Sequence, residues 1–174
     1  DARFSRWDYG PIQFYVSPEE APLVWAPGKV SLVDGEDGVL RAMGAEDFDP
    51  YRESYYSQPF DPEDEGPLGH TPALLYWKES KEGLNEEIFN LRLANAAPVV
   101  FSEVVYPGWT AQIDGRPARI YTADYLLRSL AVPQGEHVIR FYYRPWWLIP
   151  LIVFGFIWIF SLAVWGLRFR VSKV

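Results

Sequence analysis

The chain has 174 residues, a formal net charge of −7 and no cysteine. This length suits one domain, or one domain with an appendage. The lack of cysteine excludes a disulfide scaffold and a thiolate zinc site, and the acidic balance disfavours binding to a nucleic acid. With only two histidines and no phosphate loop or dinucleotide motif, we expect no metal site, no cofactor and no catalytic residue.

Residues 1–83 form the least regular part of the sequence and are dense in proline and glycine. Proline and glycine favour turns and interrupt long strands and helices. Only short elements are therefore expected here. The patterns predict strands at 12–16, 30–33 and 73–78, and one short helix at 42–48 or 50–56.

Residues 84–144 contain short runs in which apolar and polar side chains alternate. Phe89, Leu91 and Leu93, for example, are separated by polar residues, a spacing that places them on one face of a strand. Such runs recur at roughly 8–12-residue intervals, which is typical of antiparallel sandwiches. We predict a mainly β fold, an antiparallel sandwich or barrel-like domain that forms one globular unit with residues 1–83.

Three sets of turn residues separate these runs. Asp114 and Gly115 stand between two alternating segments, the strongest short signal for a tight hairpin, because both central positions of a type I′ turn need a positive φ. A bend that aims Trp109 into the core and a further turn before the last strand are also predicted. Their residues are Pro107 with Gly108, and Pro133 with Gly135.

The range 145–167 carries no charged residue. As a helix it would be about 34 Å long, enough to cross a hydrocarbon core of about 30 Å. We therefore predict one C-terminal transmembrane helix, followed by a basic tail at 168–174. The basic tail favours a single-pass membrane protein with its β-domain outside the membrane and its C-terminus in the cytoplasm. The opposite, tail-anchored orientation stays open.

Four aromatic residues recur along one side of this predicted helix. Trp147, Phe154, Trp158 and Trp165 fall within about 20° of one line at 100° per residue. One interpretation is that these large side chains simply face the lipid. The other is a strip of aromatic side chains that contacts a partner helix.

Six short motifs follow one another along the chain. They are AEDFDPYRE at 45–53, FSEVVYPGW at 101–109, IDGRP at 113–117, YLLR at 125–128, VPQGEH at 132–137 and FYYRP at 141–145. Together they resemble the C-terminal region of the bacterial YfhO-type membrane protein family, over about residues 40–167. The resemblance implies a protein of the bacterial inner membrane with a periplasmic β-domain followed by a final transmembrane helix, in a family similar to glycosyltransferases that use lipid-linked sugars. The catalytic part of that family lies in an N-terminal multi-helix region that has no counterpart here, so no catalytic residue is implied.

Three functions are compatible with these patterns. The first is a non-catalytic, single-span accessory subunit that packs against a larger integral membrane complex, for example a photosynthetic or respiratory one. The second is the C-terminal, non-catalytic portion of a YfhO-like glycosyltransferase. The third is a carbohydrate-binding module on a membrane tether. Trp109 and Tyr125 are the candidate contacts of the β-domain with a partner protein or a glycan.

Overall fold

The computed structural model describes residues 5–9, 12–16, 22–62, 64 and 74–171. Thirteen strands and two helices are present in these ranges. In chain order they are β1 (Ser5–Tyr9), β2 (Ile12–Val16), β3 (Val24–Trp25), β4 (Lys29–Leu32), α1 (Gly35–Met43), β5 (Glu53–Tyr56), β6 (Leu74–Gly83), β7 (Glu86–Leu93), β8 (Ala97–Val104), β9 (Trp109–Ile113), β10 (Arg116–Ala118), β11 (Tyr121–Ala123), β12 (Leu127–Val132), β13 (Gly135–Tyr143) and α2 (Leu148–Val171).

Two antiparallel sheets make up the main body. One has the strand order β10-β9-β13-β7-β6 and the other β11-β12-β8-β3. The alternating side chains of β7 are buried at Phe89, Leu91 and Leu93, and they meet Val99 and Phe101 of β8 in the core between the sheets. The prediction of a mainly β, antiparallel, sandwich-like fold is confirmed.

A further layer covers the outer face of the four-stranded sheet. The strands β4 and β5 pair in parallel with α1 between them in the chain. Tyr56 of β5 and the nearby Phe60 pack against Val100 and Tyr121 of the sheet. The strand β8 is consequently buried on both faces from Ala97 to Phe101, which explains why its sequence is a continuous apolar run rather than an alternating one.

The helix of the N-terminal part lies earlier than predicted. It spans Gly35–Met43 instead of 42–48, and the alternative range 50–56 contains strand β5. Two acidic residues in the first turn and Arg41 in the last turn suit the helix dipole. Burial in β5 alternates with a period of two, since Ser54 and Tyr56 are buried and Tyr55 between them is only partly buried, so these residues form a strand.

Residues on both sides of position 83 share the same two sheets. The strand β6 pairs with β7 across a tight hairpin, and β3 pairs with β8. The boundary between 83 and 84 therefore lies inside a hairpin and not between two folding units.

The last helix, α2, follows β13 after a link of a few residues. All its described side chains, from Leu148 to Leu162, are exposed. In the described part of the chain, no helix combines the length and the apolarity that a membrane span requires. The transmembrane helix predicted for 145–167 stays a prediction.

Candidate functional site

An open groove of about 450 Å³ lies beside the loop that joins β8 to β9. Pro107 and Gly108 form the predicted bend, with a φ of +107° at Gly108. The carbonyl of Gly108 accepts a 2.6 Å hydrogen bond from the backbone N–H of Arg144, just before α2. The bend thus ties the groove to the point where the chain leaves the sandwich.

A buried arginine forms the floor of this groove. Arg128 of β12 is only 1% exposed. Its guanidinium carbon lies 4.4 Å from the centre of the Trp109 ring and 4.8 Å from that of Phe141. Both rings belong to the opposite sheet. They offer the cation a favourable electrostatic contact in a place where water does not reach it.

Two carboxylates complete the surroundings of Arg128. Its Nη1 lies 3.1 Å from Oε2 of Glu87, and its Nη2 donates to Oε2 of Glu103 at 3.2 Å. Among the described residues, Nε and Nη1 find no acceptor with hydrogen-bond geometry. The charge is therefore neutralised mainly by ion pairing and ring contact. Through these contacts Arg128 of one sheet is linked to Glu87, Trp109 and Phe141 of the other.

The two predicted β-domain contact residues line different cavities. Trp109 borders the groove, and one face of its ring is covered by Arg128. Tyr125 is exposed, has a φ of +73° and lines a smaller cavity of about 110 Å³ together with Tyr121. They do not form one row of exposed rings, which is the arrangement expected of a platform for sugar stacking.

A second buried polar cluster lies between the four-stranded sheet and the outer layer. Asp124 accepts hydrogen bonds from Ser54 Oγ at 2.9 Å and from the backbone N–H of Tyr55 at 2.8 Å. Burial raises the pKa of Asp124 to about 6, although these two hydrogen bonds act in the opposite direction. The carboxylate fixes the outer layer to the turn before β12.

A second groove, of about 870 Å³, lies beside the hairpin of Asp114 and Gly115 and shares Pro117 and Ala118 with the first groove. The predicted hairpin is confirmed there, with φ of +51° at Asp114 and +78° at Gly115. Asp114 accepts a hydrogen bond from the backbone N–H of Val138, and its Oδ2 lies 2.7 Å from His137 Nδ1. These two contacts hold the pKa of Asp114 below its ordinary value.

The link between the last two strands also borders this groove, through Pro133. Pro133 follows β12 of one sheet, and Gly135, with a φ of +124°, begins β13 of the other. The predicted turn is therefore a crossing between sheets, and the positive φ explains why glycine stands at 135.

The aromatic residues predicted to line one side of the last helix are exposed where the structure describes them. Trp147 precedes α2, and Phe154 and Trp158 lie within it. All three are exposed, as are Phe156 and Phe160. Trp165 lies beyond the described side chains. This exposure is compatible both with contact to lipid and with contact to a partner helix.

Sequence patterns missed the two buried charges. Arg128 stands in the strand sequence LRSLAV, and a charged residue inside a largely apolar strand is a signal that could have identified it. Asp124 gives no comparable signal, because it precedes the strand in what reads as a polar turn. Its partner Ser54 is 70 positions away.

Replacing Gly108 by alanine is expected to lower the free energy of unfolding by about 2–3 kcal/mol, from backbone strain and crowding. A Cβ at this position would lie 2.8 Å from Cε2 of Tyr143. The matched control is Gly115→Ala, which has a positive φ but no atom within 4 Å of the new Cβ. Denaturant unfolding of the full chain in detergent measures both. Equal losses in the two variants would contradict the crowding at Gly108.

Comparison of the chain with protein-family models, curated proteins and solved structures gives no match. The resemblance to the YfhO-type family therefore rests on the sequence motifs alone. Among the residues that the structure describes, no group of three or more potential metal ligands comes together.

Proposed function

We propose that the protein is a non-catalytic, single-span accessory subunit. In this role the apolar helix α2 holds the β-sandwich at a bacterial inner membrane, and the sandwich packs against a larger integral membrane complex, for example an energy-transducing one. The observation that carries the proposal is the helix itself. From Leu148 to Leu162 every described side chain is exposed, and nearly all are apolar.

Exposing such a helix to water is unfavourable in free energy. Each large apolar side chain gains about 1.5–3 kcal/mol when it is fully removed from water, and soluble domains seldom expose a contiguous apolar surface of this extent. In the described part of the chain, the sandwich does not bury the apolar surface of α2. The uncharged range 145–167 and the basic residues Arg168, Arg170 and Lys173 after it support a bilayer as the cover, with the C-terminus in the cytoplasm.

One contact favours a second candidate function, the C-terminal portion of a YfhO-like protein. The motifs at 101–109 and 141–145 are distant in sequence but meet where Arg144 donates to the carbonyl of Gly108. Because the two motifs contact each other in the fold, they would be expected to occur together in one family. Upstream membrane helices in the same polypeptide would decide for this candidate.

The anchor is tested by placing lysines in α2. The double variant Ile157→Lys with Phe160→Lys is expected to lose membrane retention, because each lysine near a helix centre costs about 2.5–3.5 kcal/mol on insertion. The control is Leu32→Lys with Leu40→Lys, two similarly exposed residues of the sandwich layer. The measurement is the fraction that stays with membranes after an alkaline wash. Full retention of the α2 variant would overturn the anchor.

The subunit role needs its own test. Native membranes extracted in mild detergent are separated by size, and the proteins that travel with the chain are identified and quantified. Stoichiometric migration with a large assembly is expected. Migration of the chain alone would overturn the accessory-subunit role, and its appearance only within a longer multi-spanning polypeptide would establish the second candidate instead.

A further inference from the structure

Three separate loops present exposed apolar side chains at one end of the sandwich. Leu84, in the hairpin between β6 and β7, is 98% exposed, and Tyr106, in the loop between β8 and β9, is 60% exposed. Leu126, between β11 and β12, is 42% exposed. We call these three residues the rim. Large apolar residues at the tips of loops are unusual, because such positions are normally polar.

The rim surrounds the point where the chain leaves for α2. The backbone N–H of Tyr143 donates to the carbonyl of Asn85, next to Leu84. The ring of Tyr106 lies 6.5 Å from the ring of Tyr143. The N–H of Val105 in turn donates to the carbonyl of Leu126. These contacts place the three loops around the end of β13.

The opposite end of the sandwich has a different character. Its loops contain small or polar residues at 94–96, the hairpin of Asp114 and Gly115, and the link at 133–134. None of these three described loops carries a large exposed apolar side chain. Among the described loops at the two ends, the exposed apolar tips of the rim lie at the end from which α2 leaves.

We propose that the rim rests in the headgroup layer of the bilayer and fixes the orientation of the sandwich on the membrane. This inference depends on the proposed anchor. A lipid surface fits better than a partner helix, because loops from both sheets lie around the exit of α2 and a single helix would cover only one side. Tyr106 has the apolar body and polar tip that suit this interface.

Charge does not account for this contact. Glu86, Glu87 and Glu103 lie near the same end as Arg140 and Arg144, and the chain as a whole has a charge of −7. Attraction to anionic lipids is therefore not the driving force. Rim contact should be retained on zwitterionic lipid and should change little with salt.

The experiment uses the full chain in nanodiscs of zwitterionic lipid. Because the sequence contains no cysteine, a single introduced cysteine carries a fluorescent label at one chosen site. The rim sites are Leu84→Cys, Tyr106→Cys and Leu126→Cys. The anchor site is Phe156→Cys, and the control is Leu75→Cys, which is 61% exposed but lies towards the polar end.

Quenching by lipid-borne nitroxides and by aqueous iodide locates each label. We expect all three rim labels to be quenched by nitroxides at headgroup depth, and to be several-fold less sensitive to iodide than the label at position 75. The anchor label should respond to nitroxides deep in the bilayer. Rim labels as open to iodide as the control, with the anchor label quenched by lipid, would overturn this inference and leave the anchor standing. An anchor label that no lipid nitroxide quenches would overturn the proposed function itself.

Discussion

Replacing Arg128 by methionine is expected to lower the free energy of unfolding by about 3–5 kcal/mol, the usual cost of removing one partner from a buried ion pair. The guanidinium is 1% exposed and lies between two aromatic rings of the opposite sheet. Methionine restores part of the volume but leaves Glu87, whose side chain is largely buried, without this counter-charge. The total free energy of unfolding of a native domain is only about 5–15 kcal/mol. The expected loss is therefore a large fraction of the stability of the fold.

Two further variants separate charge from shape at this position. Arg128→Lys keeps the positive charge but loses the planar group that contacts Trp109 and Phe141, so an intermediate loss is expected. Arg128→Met combined with Glu87→Gln also removes the charge of Glu87 and should recover part of the stability.

Denaturant unfolding of the full chain in detergent, followed by tryptophan fluorescence and near-ultraviolet circular dichroism, measures these changes. The Lys variant keeps the test informative if the Met variant does not fold. A Met variant as stable as the parent chain would show that the ion pair does not contribute to the fold.

The second large effect concerns pH. Asp124 is 3% exposed, and burial raises its pKa to about 6 from an ordinary value of 3.8. Between these two values the folded chain binds a proton that the unfolded chain has already released. Stability from this group is therefore greatest below about pH 4, falls as the pH rises through 6, and is constant above that. The full difference corresponds to about 3 kcal/mol.

Asp124→Asn is expected to abolish this dependence. The amide oxygen can still accept the hydrogen bond from the backbone N–H of Tyr55, and asparagine tolerates the φ of +48° at this position. Relative to the parent chain, the variant should therefore gain stability as the pH rises from 4 to 7. Subtracting the two pH profiles removes the contributions of other groups, such as Asp114, whose lowered pKa has the opposite effect. A constant difference between variant and parent across this range would contradict the raised pKa.

Sequence patterns predicted most of the strands in the second half of the chain. The alternation at Trp109–Ile113 and the turn at Asp114 and Gly115 are local features, and the observed hairpin follows them. They succeeded because a strand with one buried face must alternate, and because a type I′ turn accepts few residue types.

The first half was predicted less well. Helix α1 at Gly35–Met43 begins with a Gly-Glu-Asp-Gly sequence that is typical of a turn, and strand β5 contains four residues. Short elements with weak propensities are stabilised mainly by the surfaces they cover. Here Tyr56 and Phe60 provide that cover against the outer face of the four-stranded sheet.

By itself, the sequence determined the β class, the tight hairpin at Asp114 and Gly115, and the uncharged range 145–167, because each of these depends on residues that are close together in the chain. The tertiary structure alone decided which strands form each sheet, which charges are buried and which loops meet. Arg128 reaches Glu87 across 41 positions and Asp124 reaches Ser54 across 70. Burial of a charge depends on such distant partners, since a guanidinium or carboxylate leaves water only where another part of the chain supplies its counter-charge or its hydrogen bonds.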